Sequence, residues 1–189
     1  FTPSEKVRKK YDVIMHCRML YDKGIIELIN ASKILKNKGL KIKILFLGSP
    51  DIYNRASVSE KQLKIWKNEK LVEWITETEN VLPYLRMSKI AVLPSYKEGL
   101  PKSLLEAASC GLPIISTNVS GCKEICKHDC NGLLINAKDS NSLAKAIENL
   151  YINDEKAKKM GIKSRNLVKQ NFSDEIISNK FLKLYLKLI

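Results

Sequence analysis

The chain has 189 residues, with 33 Lys and Arg against 20 Asp and Glu for a formal charge of +13, and 44% of its side chains are hydrophobic. This balance fits one folded domain, or one lobe of a two-lobed enzyme, and excludes a disordered or collagen-like chain. No apolar run approaches the ~20 residues that a membrane-spanning helix needs.

Tyr11–Cys17 is a short apolar run and reads as a strand. Residues Asp22 to Lys38 carry apolar side chains at helical spacing and close at Gly39, so a helix is expected there. Lys41–Leu47 reads as a strand ending in the turn Gly48-Ser49-Pro50. A helix over Ser57–Lys70, a strand over Leu71–Ile75 and a short helix over Val81–Met87 follow. Ile90–Leu93 is a strand, and Pro101–Cys110 is a helix with Pro at its first turn and Gly111 just past its end. Ile114–Thr117 is a strand, a turn-rich stretch follows, and Leu133–Ile135 is the last strand. From Asn141 the chain reads as helical to Ile189, with breaks near Asn153 and Asn171–Ser173.

Short, β-branched strands alternating with helices predict a doubly wound parallel sheet, α/β and Rossmann-like, in a single domain spanning 1–189. In such a sheet ligands bind beyond the carboxyl ends of the strands.

The positive excess sits at the two ends: 11 basic against 4 acidic residues in 1–50, and 9 against 4 in 151–189. Of the basic residues 28 are Lys and 5 are Arg, a mix that suits solvated faces or an anionic membrane surface better than a nucleic acid. No groove of stacking aromatics supports a single-strand binder. The five cysteines are odd in number and read as reduced thiols. Cys122, Cys126 and Cys130 recur every fourth residue with His128 among them, but no distant second pair of ligands exists, so no metal site is expected. The chain opens at Phe1 without an initiator Met or a signal-peptide pattern, which leads us to expect a fragment of a longer protein.

The segment Leu93–Glu106 runs from strand through loop to helix. Gly99 lets backbone approach a ligand, Pro101 starts the helix, and the free amides near Lys102 and Ser103 form a phosphate seat. Glu106, one turn in, suits a vicinal diol such as that of a ribose, and Glu98 faces whatever hangs from the distal phosphate. The plainer reading makes both glutamates solvated surface residues; their placement around a Gly-Leu-Pro turn favours the site. Arg18 and Lys23 project after the first strand and can neutralise a diphosphate as it departs. Trp74 ends its strand and is either a core residue or a stacking platform for a base. His16 reads as a packed strand residue. No Walker or dinucleotide glycine motif is present.

These residues resemble a known family. EGLPKSLLE holds the E-x7-E spacing of Glu98 and Glu106, EAASCGLPIISTNVSGCKEI and NGLLINAKDSNSLAKAI follow, and Arg18–Gly24 (RMLYDKG) matches an R-x4-K-G element. Together they resemble the C-terminal, donor-binding lobe of glycosyltransferase family 4, with the GT-B fold, over essentially the whole chain. Within it they look most like bacterial enzymes that build lipid-linked oligosaccharides and surface polysaccharides. The sequence departs from the family pattern at Cys17, at the shortened turn Gly48-Ser49-Pro50 and at Trp74.

The resemblance implies that Glu106 binds the ribose and that Arg18 and Lys23 bind the diphosphate. Gly99, Leu100, Pro101, Lys102 and Ser103 contact phosphate and sugar, Glu98 faces the sugar, and Gly48 and Trp74 lie at the base. It implies retaining transfer of a hexose or N-acetylhexosamine from a UDP-sugar, without a metal or other cofactor, to a glycan or lipid-linked sugar acceptor. It also implies an N-terminal acceptor lobe outside this chain, an isolated lobe that is inactive alone, and a cytoplasmic location, peripheral on the inner membrane. The rivals are a non-catalytic nucleotide-sugar binding module, a basic nucleic-acid binder and an epimerase of related architecture.

Overall fold

A computed structural model describes residues 1–4, 6–76 and 78–187. Six strands, β1 (Tyr11–His16), β2 (Ile44–Leu47), β3 (Glu73–Ile75), β4 (Ser88–Leu93), β5 (Ile114–Thr117) and β6 (Gly132–Ile135), form one sheet in the order β3-β2-β1-β4-β5-β6. Every neighbouring pair is parallel. Side chains alternate between two buried faces: Ile44 and Phe46 of β2 enter one core, Leu45 and Leu47 the other. A sheet covered on both sides needs such continuous apolar strands, and all four residues of β2 are buried.

The helices are α1 (Ile25–Asn37), α2 (Glu60–Asn68), α3 (Leu82–Arg86), α4 (Lys102–Ser109), α5 (Ser120–Ile125), α6 (Ser140–Ile152), α7 (Asp154–Asn171) and α8 (Asp174–Tyr185). The expected first helix is split. Tyr21–Lys23 forms a separate 3-10 turn, and Gly24, at φ +79°, begins α1. A Cβ there would fall 2.2 Å from the Pro94 carbonyl oxygen, so this glycine lets α1 dock on the loop after β4. Ser59 caps α2 by accepting from the Gln62 amide at 3.2 Å, which starts that helix later than the apolar pattern predicts. Likewise β2 excludes Lys41–Lys43, which lie outside the buried strand.

The stretch read as turn-rich contains α5, whose Gly121, Cys122 and Ile125 are buried. Because α5 ends at Ile125, the three thiols at fourfold spacing do not stack on one helix: Cys122 and Cys126 are buried, and Cys130 is exposed. The C-terminal helices break where expected, at Asn153 and before Ser173; Leu188 and Ile189, also read as helical, lie outside the described residues. No residue of α8 is buried, and Phe181, Leu182, Leu184 and Tyr185 are all more than half exposed. Among the described residues no helix is long and apolar enough to cross a membrane.

The chain leaves β1 toward β2 and β3 but leaves β4 toward β5 and β6. The strand order therefore reverses between β1 and β4, and a crevice opens at their carboxyl ends.

Candidate functional site

An open cleft of about 480 Å³ lies at that edge, lined among others by His16, Cys17, Arg18, Gly48, Asp51 and Ser103. Its floor is made where the turns after β1 and β2 meet. The Met19 amide donates to the Ser49 carbonyl at 2.9 Å, and the Gly48 amide to the Ile75 carbonyl at 3.0 Å. Gly48 sits at φ +142°, and a Cβ there would fall 2.0 Å from the Cys17 carbonyl oxygen. Only a glycine brings the two turns this close.

Trp74 is not part of the cleft wall. Its side chain is buried in the core, and its indole N–H donates to the Gly48 carbonyl at 2.9 Å. Of the two readings open for Trp74 the structure shows the core residue and corrects the stacking platform: the ring stands in the middle of β3, opposite Phe46 in the register, enclosed by its neighbours, and props the cleft floor from behind.

The loop from Pro94 to Pro101 carries Glu98 and is stitched to the turn that carries Lys23. The Tyr96 amide and the Ser95 hydroxyl both donate to the Asp22 carbonyl, at 2.8 and 3.1 Å. The Tyr96 hydroxyl donates to Glu27 Oε1 on α1 at 2.7 Å, and burial followed by this carboxylate pushes the phenol up to about 12. From the other side, Gly121 at the start of α5 packs so tightly that a Cβ would lie 1.9 Å from the Gly99 carbonyl oxygen. Above Gly99 itself the space is open.

Held this way, Glu98 Oε1 lies 2.7 Å from Lys23 Nζ, with 12% and 18% of the two side chains exposed. Arg18, 64% exposed, reaches Asp51 Oδ2 at 2.8 Å. Burial pushes the neighbouring Cys17 thiol up to about 12, so it stays protonated and contributes no charge.

At the far side, α4 begins at Lys102 with Pro101 as its N-cap and no capping side chain. The Leu104 amide donates back to the Pro101 carbonyl at 3.1 Å, which leaves the amides of Lys102 and Ser103, at the positive end of the helix dipole, for a ligand. Ser103 and Glu106, three apart, share a face of α4. Glu106 Oε2 is buried 3.4 Å from His16 Nδ1.

The structure thus brings Lys23 to Glu98, and sets Arg18, Gly48 and Ser103 around one cleft with Glu106 beside it through His16. Leu100 and Lys102 are exposed on the rim and Pro101 is buried beneath it. Two participants went unforeseen. His16, read as a packed strand residue, ends β1 at the cleft, and Asp51 holds Arg18. Asp51 gave no sequence signal, whereas His16 could have been found from its place two residues before Arg18 at the end of an apolar strand.

The family model described as glycosyl transferases group 1 matches residues 1–167. Over all 189 residues the chain is 31% identical to the N,N'-diacetylbacillosaminyl-diphospho-undecaprenol alpha-1,3-N-acetylgalactosaminyltransferase of Campylobacter jejuni, covering 48% of that protein. It is 30% identical to the capsular polysaccharide biosynthesis glycosyltransferase CapM of Staphylococcus aureus, over 89% of this chain and 44% of CapM. The chain spans about half the length of the curated relatives it matches. Among solved structures, a mutant of S. aureus TarM, in complex with Fondaparinux, alpha-GlcNAc-glycerol and UDP, superposes with a TM-score of 0.81 at 25% identity, over 96% of this chain and 37% of TarM.

Proposed function

The chain belongs to the group 1 glycosyl transferases, and from that premise we propose that it is the donor-binding lobe of a retaining glycosyltransferase. The donor is a UDP-sugar and the sugar a hexose or N-acetylhexosamine. The acceptor is a hydroxyl of a lipid-linked or polysaccharide glycan, offered by a second, N-terminal lobe. The observation that carries the reading is the convergence, at the β1/β4 switch point, of Arg18, the Lys23–Glu98 pair and the uncapped start of α4. The relatives' names and the UDP bound by the TarM mutant support the substrate class.

In this reading the ribose diol donates to Glu106, and the diphosphate lies between Arg18, Lys23 and the amides of Lys102 and Ser103. The base enters beside Gly48, over a floor that Trp74 supports from below. As the bond from the anomeric carbon to the diphosphate breaks, negative charge builds on the leaving phosphate oxygens. Arg18, Lys23 and the helix dipole stabilise that charge more than they stabilise the ground state, which is where the acceleration arises. Glu98, released from Lys23, accepts from a hydroxyl of the sugar. The positive charge comes from side chains, so transfer is expected to proceed with divalent metals chelated.

Calorimetric titration of this chain with UDP, GDP and ADP tests the reading. Saturable UDP binding that falls about 10- to 100-fold in Glu106→Ala, the loss expected for hydrogen bonds to a charged acceptor, supports it. Equal affinity of wild type and variant would remove Glu106 from the ribose. Indifference of the full-length protein's sugar transfer to Arg18→Ala would favour a non-catalytic binding role for the lobe.

A further inference from the structure

We infer that His16 is a positioning residue for Glu106, fixing the carboxylate plane so that one oxygen is tied back and the other is presented to the ribose. The inference rests on the reading of Glu106 as the ribose ligand.

Along β1, Val13 and Met15 enter one core and Ile14 the other, so His16 follows Ile14 onto the sheet face that α4 covers. There the ring packs beside Ser103, Leu104 and Ala107, around a residual space of only about 10 Å³. The same residue also lines the cleft. The imidazole is therefore wedged between helix and ligand site. Its Nδ1 lies 3.4 Å from Glu106 Oε2, close enough to pair after a small turn of either side chain; as placed, neither buried atom makes a hydrogen bond among the described residues. Although Oε2 is buried, 26% of the Glu106 side chain stays exposed, which leaves Oε1 for a ligand.

A glutamate side chain on a helix surface has three rotatable bonds, and freezing them on binding weakens affinity. Closing the 3.4 Å gap into a hydrogen bond, with a proton on Nδ1 donated to Oε2, removes that freedom before the ligand arrives. It also satisfies an otherwise unpaired buried oxygen. His16 thus acts on the nucleotide through Glu106, and its contribution exists only when the ligand carries hydroxyls for Glu106 to accept.

This dependence is testable. Affinities of UDP and 2',3'-dideoxy-UDP are measured by calorimetry for wild type, His16→Leu, His16→Ala, His16→Asn and Glu106→Ala, each checked for folding by its thermal midpoint. Either apolar variant is expected to weaken UDP binding about ten-fold, the value of roughly one charge-assisted hydrogen bond, and to leave the dideoxy ligand unchanged. In His16→Asn the side-chain amide nitrogen sits close to where Nδ1 was, and UDP affinity is expected to return to within about two-fold of wild type. An equal loss for both ligands would reduce His16 to packing and overturn the inference, as would no loss for either. Should Glu106→Ala bind UDP like wild type, or wild type bind no UDP, the ribose reading itself falls. Loss in Glu106→Ala without loss in the His16 variants rejects the His16 role alone.

Discussion

Lys23 Nζ stands 2.7 Å from Glu98 Oε1, and the pair bridges the crevice from the turn after β1 to the loop after β4. Little of either side chain reaches water, so their attraction is less screened than that of a surface pair. Each charge nevertheless has other work in the proposed reaction, Lys23 on the diphosphate and Glu98 on the sugar. A donor must open the pair before it can be held. Glu98→Gln keeps the shape and a hydrogen-bond acceptor but removes the charge that holds Lys23. UDP, which has no sugar to lose contact with, is expected to bind about three- to ten-fold more tightly to this variant. Sugar transfer by the full-length protein is expected to fall by about 100-fold or more. Calorimetry and a transfer assay on the same preparation check both; UDP affinity that stays level or drops would mean Glu98 does not restrain Lys23.

Arg18 is held differently. Its contact with Asp51 is largely open to solvent, 64% and 25% exposed, and contributes less than about 1 kcal/mol. Asp51→Asn should therefore shift the thermal midpoint by no more than about 3 °C. What matters at this position is the planar fork, which meets two phosphate oxygens at once, whereas an ammonium meets them as a point. Arg18→Lys is expected to weaken UDP binding about ten-fold with the fold intact. Retention of full affinity by the lysine variant would show that position 18 supplies charge alone.

Gly121 controls the same loop from the opposite side. Its backbone is not left-handed, so a side chain there is excluded by space alone: the added carbon would lie 1.9 Å from the Gly99 carbonyl oxygen and 2.6 Å from that of Glu98. Both obstacles are backbone and cannot rotate away. Gly121→Ala is expected to destabilise the domain by about 1–3 kcal/mol, the usual result of overpacking, and to displace Glu98. Urea denaturation reads the first effect. For the second, turnover should fall more than UDP affinity, which depends on Glu106 and Arg18; equal losses in both would place the damage in the whole site.

Much of this arrangement was visible in the order of residues. Alternating apolar strands and periodic helices specified the sheet because buried parallel strands leave little room for polar residues, and Gly111 and Asn153 marked helix ends by their backbone preferences. The loop around Gly99 drew attention because two glutamates flank a Gly-Leu-Pro turn where a strand passes into a helix, the edge at which such sheets bind ligands. Long-range pairings were hidden. Nothing local joins Arg18 to Asp51 or His16 to Glu106, since each contact depends on which turns the sheet order brings together. Trp74 stayed open between core and stacking surface for a related reason: its identity suits either, and only its burial beside Phe46 in the folded sheet decides for the core. The short helix α5 escaped because six residues beginning Ser-Gly lack a repeating apolar pattern, and its form depends on what Gly121 packs against.

The buried thiols tie stability to pH. Cys126 is fully buried, and burial, followed by the neighbouring Cys122, pushes its thiol up to about 12. In the unfolded chain it ionises near the ordinary value of about 8.5. Below that pH both states keep the proton and the thiol leaves stability unchanged. Between the two values the unfolded state releases its proton while the folded state retains it, so the free energy of unfolding falls by about 1.4 kcal/mol per pH unit for this one group. Lysines and tyrosines titrate in the same range, so the informative quantity is the difference between wild type and Cys126→Ala. The variant starts less stable because it leaves a small cavity, but its stability should decline less steeply between about pH 9 and pH 11. The two lines measured by urea denaturation should converge as pH rises. Parallel lines would mean that Cys126 ionises as readily in the folded protein as in the unfolded chain.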